Sequence, residues 1–326
     1  MRRSVATLAL LAAASAGAQR PLPSGATRIP VRYDEGRWIL RPVTADGDTL
    51  DLYTDSGGGV VFVTSEALGR AHVPLTFTER APSGDSLYAA PLPAFRPGLG
   101  VPMPLGAGRV MSAPASVWRA MTGGGGMPAR DGFFGNGWFA DRIWVFDYPA
   151  HTLTLLPPDT PPTPLGGHTV PLGFRADSAG RRGPRFPRVQ AVIDGDTLDL
   201  LFDTGATTTL GDGALAAIAD GRPASRAASF ITRATADRWR ARHPDWRYVP
   251  RAESRTNADM IEVPAVTVAG LTAGPVWFTV RADKNFHEYM SQWMDRRIEG
   301  ALGGSALRYY RVTVDYPNRR ATFETP

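Results

Sequence analysis

The sequence predicts an all-β protein made of two lobes built on one plan, and three observations carry that expectation. The chain is 43% hydrophobic and holds 35 Gly and 29 Pro, a composition suited to short strands joined by many turns. The seven residues Asp-Gly-Asp-Thr-Leu-Asp-Leu occur at 46–52 and again at 194–200, and each copy runs three positions later into an Asp-hydroxyl-Gly triplet. These triplets, Asp55-Ser56-Gly57 and Asp203-Thr204-Gly205, share the repeat's offset of 148 residues, so they belong to one duplicated unit. The unit also has a matching end: Asp131–Phe139 leads into Ile143–Tyr148 and Pro149, and Glu299–Leu307 leads into Val312–Tyr316 and Pro317.

In chain order, Met1–Ala18 has Arg2 and Arg3, an apolar run from Val5 to Ala14, and Ala16-Gly17-Ala18 before Gln19. This reads as a secretory signal peptide (1–18), with an uncleaved anchor as the alternative, and no Cys follows it to take a lipid. The mature protein is therefore expected to be exported to the periplasm or the extracellular space, with no membrane span left after signal cleavage. Because the chain has no Cys at all, disulfides and thiolate metal sites are excluded, and stability outside the cell must come from a large core.

Strands are expected at Val31–Leu40 and Thr49–Tyr53 around the turn Asp46-Gly47-Asp48, and at Arg188–Ile193 and Thr197–Phe202 around Asp194-Gly195-Asp196. Five prolines between 157 and 164 mark a stiff linker, 157–167, between a lobe at 19–156 and a lobe at 168–326. Lys284 is the only lysine among 36 basic residues, and the arginines are dispersed rather than interleaved with stacking aromatics, which argues against nucleic acid as a partner. The five His are scattered and His287-Glu288 lacks a second ligand, so no metal and no cofactor is expected.

The two Asp-Ser/Thr-Gly triplets, each after an apolar strand and each followed by an apolar-apolar-Gly turn ending at Gly135 or Gly303, resemble the aspartic proteases. The short lobes and the closing Val312–Arg320 run are similar to bacterial retropepsin-like proteins, here as a tandem single-chain form. The resemblance implies a bilobal acid-protease fold: two pseudo-twofold-related retropepsin-like β-barrel lobes with short helices. It implies a catalytic pair, Asp55 and Asp203, sharing one proton and activating a water. Ser56 and Thr204 would hydrogen-bond across to the opposite turn, Gly57 and Gly205 would let the turns approach, and Gly135 and Gly303 would let the distal strands pass beneath. A flap is expected at Pro82–Ala89, with Gly84 in its turn and Tyr88 close behind, although Tyr88 reads equally as a plain strand residue. The function implied is that of a secreted aspartic endopeptidase acting on a peptide or protein substrate as a monomer. The alternative is a non-catalytic peptide-binding or envelope-associated protein on the same scaffold.

Two departures from symmetry stand out. Gly58-Gly59 follows the first triplet where Ala206-Thr207 follows the second, which removes side-chain support from the Asp55 loop. The second lobe also has 20 extra residues between its Asp and its distal Gly, expected within 220–257. Thr232–His243 in that stretch reads as an Arg-rich helix that either edges the substrate cleft or decorates the surface. Gly123–Gly126 reads as a flexible loop.

Overall fold

The computed structural model describes residues 23–81, 83–98, 101–104, 108–121, 131–178, 180, 183 and 186–326. The leader, Pro82 and Gly123–Gly126 lie outside the described residues. The protein is all-β, with 25 strands among the described residues and only short helices between them.

Each half builds its own sheet around the same crossing. In the first, the strand delivering Asp55, Leu52–Thr54, runs parallel to the distal strand Gly132–Phe134, and Val61–Val63 lies antiparallel on the other side. In the second, Asp196–Asp203 runs parallel to Gly300–Gly303, flanked by Ser229–Thr232. Both carrier strands sit inside their sheets, of eight and nine strands, and are buried over Leu52–Thr54 and Leu200–Asp203, where they deliver the Asp. Apolar side chains on both faces of the carrier strands, such as Leu52, Tyr53, Leu201 and Phe202, fit them to that place and fix the position of the following Asp.

A third sheet ties the halves together. The closing hairpin of the first, Ile143–Asp147 with Thr152–Leu156, pairs edge to edge with that of the second, Arg311–Asp315 with Arg320–Glu324. The joint runs from Ile143 opposite Asp315 to Asp147 opposite Arg311. Over it a single core joins both halves, with Trp38, Trp144, Phe146 and Tyr148 meeting Phe202, Val312 and Tyr316. Phe146 and Phe202 are the direct contact, with ring centroids 6.0 Å apart.

Two sequence expectations are corrected here. Val31–Leu40 is not one strand but a hairpin, Val31–Asp34 with Arg37–Leu40, because Glu35 and Gly36 take φ of 48° and 88°. Two consecutive left-handed residues make the tight turn that matches strand twist. The 20 extra residues lie ahead of the Arg-rich helix rather than around it. Val63 opposes Gly132 as Ile231 opposes Gly300, so positions from Val61 onward correspond at an offset of 168 instead of 148. On that alignment Thr64 and Thr232 are equivalent N-caps, and the helix Arg233–Arg242 is the counterpart of Ser65–Arg70. The insertion is therefore the hairpin Thr207–Thr209 with Ser225–Ala227 and the helix Asp212–Ile218 between its strands.

The inserted hairpin docks on the opposite half. Ala227 N–H donates to the Glu35 carbonyl at 2.8 Å, and buried Arg37 donates to the Ser225 hydroxyl at 2.8 Å and its carbonyl at 3.0 Å. Arg222 pairs with Glu35 at 2.9 Å. These contacts make the insertion a clasp between the halves.

Candidate functional site

The two Asp-bearing turns meet at the junction of the halves, and the contact is close enough to dictate residue type. A Cβ on Gly57 would lie 2.7 Å from the Asp203 carboxyl carbon, and one on Gly205 would lie 2.2 Å from that of Asp55. Any side chain at either position would drive the carboxyls apart.

Hydroxyls lock the turns together. Ser56 Oγ donates to the Phe202 carbonyl at 2.8 Å and accepts from Thr204 N–H at 3.0 Å. In return, Ser56 N–H donates to Thr204 Oγ1 at 3.1 Å. Both hydroxyl residues are fully buried, so no water competes for these bonds. Within each turn the Asp accepts from the residue two ahead: Gly57 N–H to Asp55 Oδ1 at 2.7 Å, and Gly205 N–H to Asp203 Oδ1 at 3.0 Å.

The close approach of the two turns sets the Asp55 and Asp203 carboxyl groups side by side, where each acts on the ionisation of the other. Burial pushes Asp55 well above the ordinary carboxylate range, and repulsion from Asp203 adds to it. Burial also raises Asp203, against the opposing effects of its bond to Asp55 and of the Gly205 and Ala206 N–H groups. One proton shared by the pair is the state this environment favours. Asp203 is only 8% exposed, and Asp55, half-buried, is the more accessible member of the pair.

The distal glycines lie where the repeat places them. Gly135 N–H donates to the Val60 carbonyl at 2.8 Å, and Asn136 N–H to that of Gly58 at 2.7 Å. Gly303 N–H donates to Ser229 Oγ at 3.0 Å. The flap region is a hairpin, Thr76–Arg80 with Ser86–Ala90, whose turn holds Gly84 at φ 89°. Tyr88 packs its ring edge-on against Phe77, centroids 6.4 Å apart, a contact within the hairpin.

Gly58 does not loosen its loop as its composition suggests. A Cβ there would lie 2.2 Å from the Phe133 ring, so the ring occupies the space a side chain would take. The second half differs at both positions: Ala206 stands where the first has Gly58, and Ala301, the position equivalent to Phe133, carries no ring. Bulk has moved from the distal strand to the loop.

One residue of the site escaped the sequence reading. Tyr53 lies two positions before Asp55, and its hydroxyl donates across the junction to the Gly205 carbonyl at 2.6 Å. It also meets Thr207 Oγ1 at 2.8 Å, and that hydroxyl reaches the same carbonyl at 3.1 Å. Its equivalent, Leu201, has no polar atom to offer. The signal was present as a Tyr among apolar strand residues, but a buried Tyr advertises neither its partner nor its half.

No protein-family model matches the chain, and no curated protein does. Solved structures similar to it include conglutin gamma, a unique basic 7S globulin from lupine seeds, at TM-score 0.46 and 11% identity over 92% of this chain and 95% of that one. Basic 7S globulin from soybean is similar at TM-score 0.44 and 11% identity over 93% and 96%. These neighbours carry the names of seed globulins and not of peptidases, which corrects the expectation of a secreted aspartic endopeptidase hydrolysing peptides with an Asp55/Asp203-activated water. That assignment is withdrawn. Among the described residues no helix is long and apolar enough to cross a membrane, and no group of three or more His, Asp or Glu is placed to hold a metal ion.

Proposed function

We propose that the protein binds an extended segment of polypeptide between its halves, with the Asp55–Asp203 pair as the polar anchor. The observation that carries this reading is the adjacent pair of carboxyls, set side by side where two glycine turns meet and held by two reciprocal hydroxyl bonds at the junction of two lobes. A pair sharing one proton both donates and accepts, which suits it to a backbone carbonyl or a hydroxyl on the bound segment. The hairpin bearing Gly84 and Tyr88 would supply a covering edge. Both carboxyls come from one chain, which supports a monomer, and the leader 1–18 supports export to the periplasm or beyond.

The test is a peptide library presented from pH 3 to 7 to wild type and to Asp203→Asn, with binding and the mass of every peptide read together. Binding of a subset by wild type, weakened in the variant and without new fragments, is the expected result. Fragments produced by wild type and lost in Asp203→Asn would replace this reading with that of an aspartic-type peptide hydrolase. No binding and no fragments would remove both.

A further inference from the structure

The insertion that clasps the two halves also walls a cavity of about 210 Å³ that belongs to the second half alone. On one side are Leu210 and Ile218 of the insertion, and on the other Met260, Pro275 and Trp277, giving it an apolar body. Polar and charged side chains share the lining, and two of them lack a matching partner. The first is Thr208, 1% exposed, whose buried hydroxyl has no hydrogen-bond partner among the described residues. An orphan hydroxyl in an apolar setting costs about 1–3 kcal/mol, a cost that its removal would relieve.

The second is Arg308. Three other arginines line the cavity, and each is matched: Arg222 with Glu35 at 2.9 Å, Arg226 with Asp220 at 2.5 Å, and Arg247 with Glu262 at 3.2 Å. Arg308 makes no ion pair among the described residues. Its Nη2 donates to Tyr309 Oη at 2.7 Å, and its plane lies 4.8 Å over the Tyr309 ring, which orients the fork. The lining therefore carries one unmatched positive charge.

We infer that this cavity is a binding site for a small apolar monocarboxylate, aromatic or aliphatic, with its carboxylate on Arg308 and its body against Met260 and Trp277. A guanidinium fork matches a carboxylate in shape as well as charge. A doubly charged group would meet the carboxylates of Asp220 and Glu262 on the same lining. The volume, below the roughly 300–1,000 Å³ of a drug-sized pocket, restricts the ligand to a single ring or a short chain. The site is separate from the carboxyl pair, although Thr207 braces the Asp203 turn from the residue next to Thr208.

Phenylacetate and its neutral analogue phenylacetamide, titrated calorimetrically into the full chain at pH 7, decide the matter. Phenylacetate is expected to bind saturably and about tenfold or more tighter than the amide, because a charge-assisted bond replaces a neutral one. Arg308→Gln, at a partly buried position, is expected to abolish the difference between the two. Thr208→Val is expected to raise the melting temperature of the free protein, since it removes the orphan hydroxyl, and to leave the preference for acid over amide in place. Asp203→Asn is expected to bind phenylacetate as wild type does. Absence of saturable binding, equal affinity for acid and amide, unchanged affinity in Arg308→Gln, or loss of affinity in Asp203→Asn would each overturn the inference.

Discussion

The two half-sites follow one plan but are filled by different means. In the first, the loop after the Asp is stripped to Gly58-Gly59 and a ring from the distal strand, Phe133, takes the vacated space. In the second, the loop carries Ala206 and Thr207, and the distal strand retreats to Ala301. The halves then complete each other, since the loop that has a hydroxyl, at Thr207, is braced by the Tyr53 that only the other half possesses. A duplicated site can thus keep its geometry while its two copies exchange volume and polarity.

The exchange of volume is the part of this comparison most open to attack. Phe133→Ala should cost about 3–5 kcal/mol of unfolding free energy as a buried ring is lost. Gly58→Ala alone should cost about 1–3 kcal/mol by overpacking. In the double variant, which copies the second half, the Gly58→Ala penalty should vanish, and denaturant unfolding of all four forms measures this. Additive penalties would mean that Phe133 is not what excludes a side chain at Gly58.

The close approach of the turns gives the next effect. Gly205→Ala places its methyl 2.2 Å from the Asp55 carboxyl carbon and Gly57→Ala places one 2.7 Å from that of Asp203. Both should destabilise, by about 1–3 kcal/mol or more, with Gly205→Ala the worse, as read by thermal unfolding. The reverse order would show that the Asp55 loop yields more readily than the Asp203 loop.

Shared protonation predicts a pH dependence with a definite sign. Both carboxyls are raised relative to the unfolded chain, so the stability they contribute is complete below the ordinary carboxylate value, about 4, and is lost as pH rises through the raised values. The pair's own contribution should weaken from pH 4 toward neutrality, and because the lowered carboxylates such as Glu253 and Asp295 act in the opposite direction in both forms, it is read as the difference between wild type and Asp203→Asn. The variant should be the more stable form at pH 7 by on the order of 1–3 kcal/mol and differ little at pH 3. Melting temperatures across that range test it; a variant uniformly less stable at every pH would contradict a buried shared proton.

The smallest effect belongs to the polar brace. Tyr53→Phe removes one buried cross-half hydrogen bond and should cost about 1 kcal/mol. Leu201→Tyr is no symmetrical substitute, because Gly59 offers it no hydroxyl. A Tyr53→Phe, Thr207→Val cycle that shows no coupling would remove the brace from the description.

Much of this protein was legible in its sequence for a simple reason. The repeat fixed the register between halves, so Asp55 and Asp203, Ser56 and Thr204, and Gly57 and Gly205 were matched by position alone. The turn residues and alternating strands followed from local backbone chemistry, as at Asp194-Gly195, where φ of 52° and 79° makes the expected hairpin. What stayed hidden was set by residues distant in the chain. The repeat's own offset misled the reading beyond Gly205, because an insertion shows in the sequence only as a length and not as a place. Strand pairing of Ile231 with Gly300 located it.

By itself, then, the sequence determined the all-β class, the duplication and the pairing of the two aspartates, since each rests on patterns a few residues long or on direct repetition. The tertiary structure alone decided that Phe133 fills the space above Gly58, that Tyr53 braces the opposite turn, and that the insertion clasps Glu35 and walls a cavity beside Arg308. Each of these depends on which side chain occupies a given volume once the sheets have closed, and packing of that kind leaves no local trace in the chain.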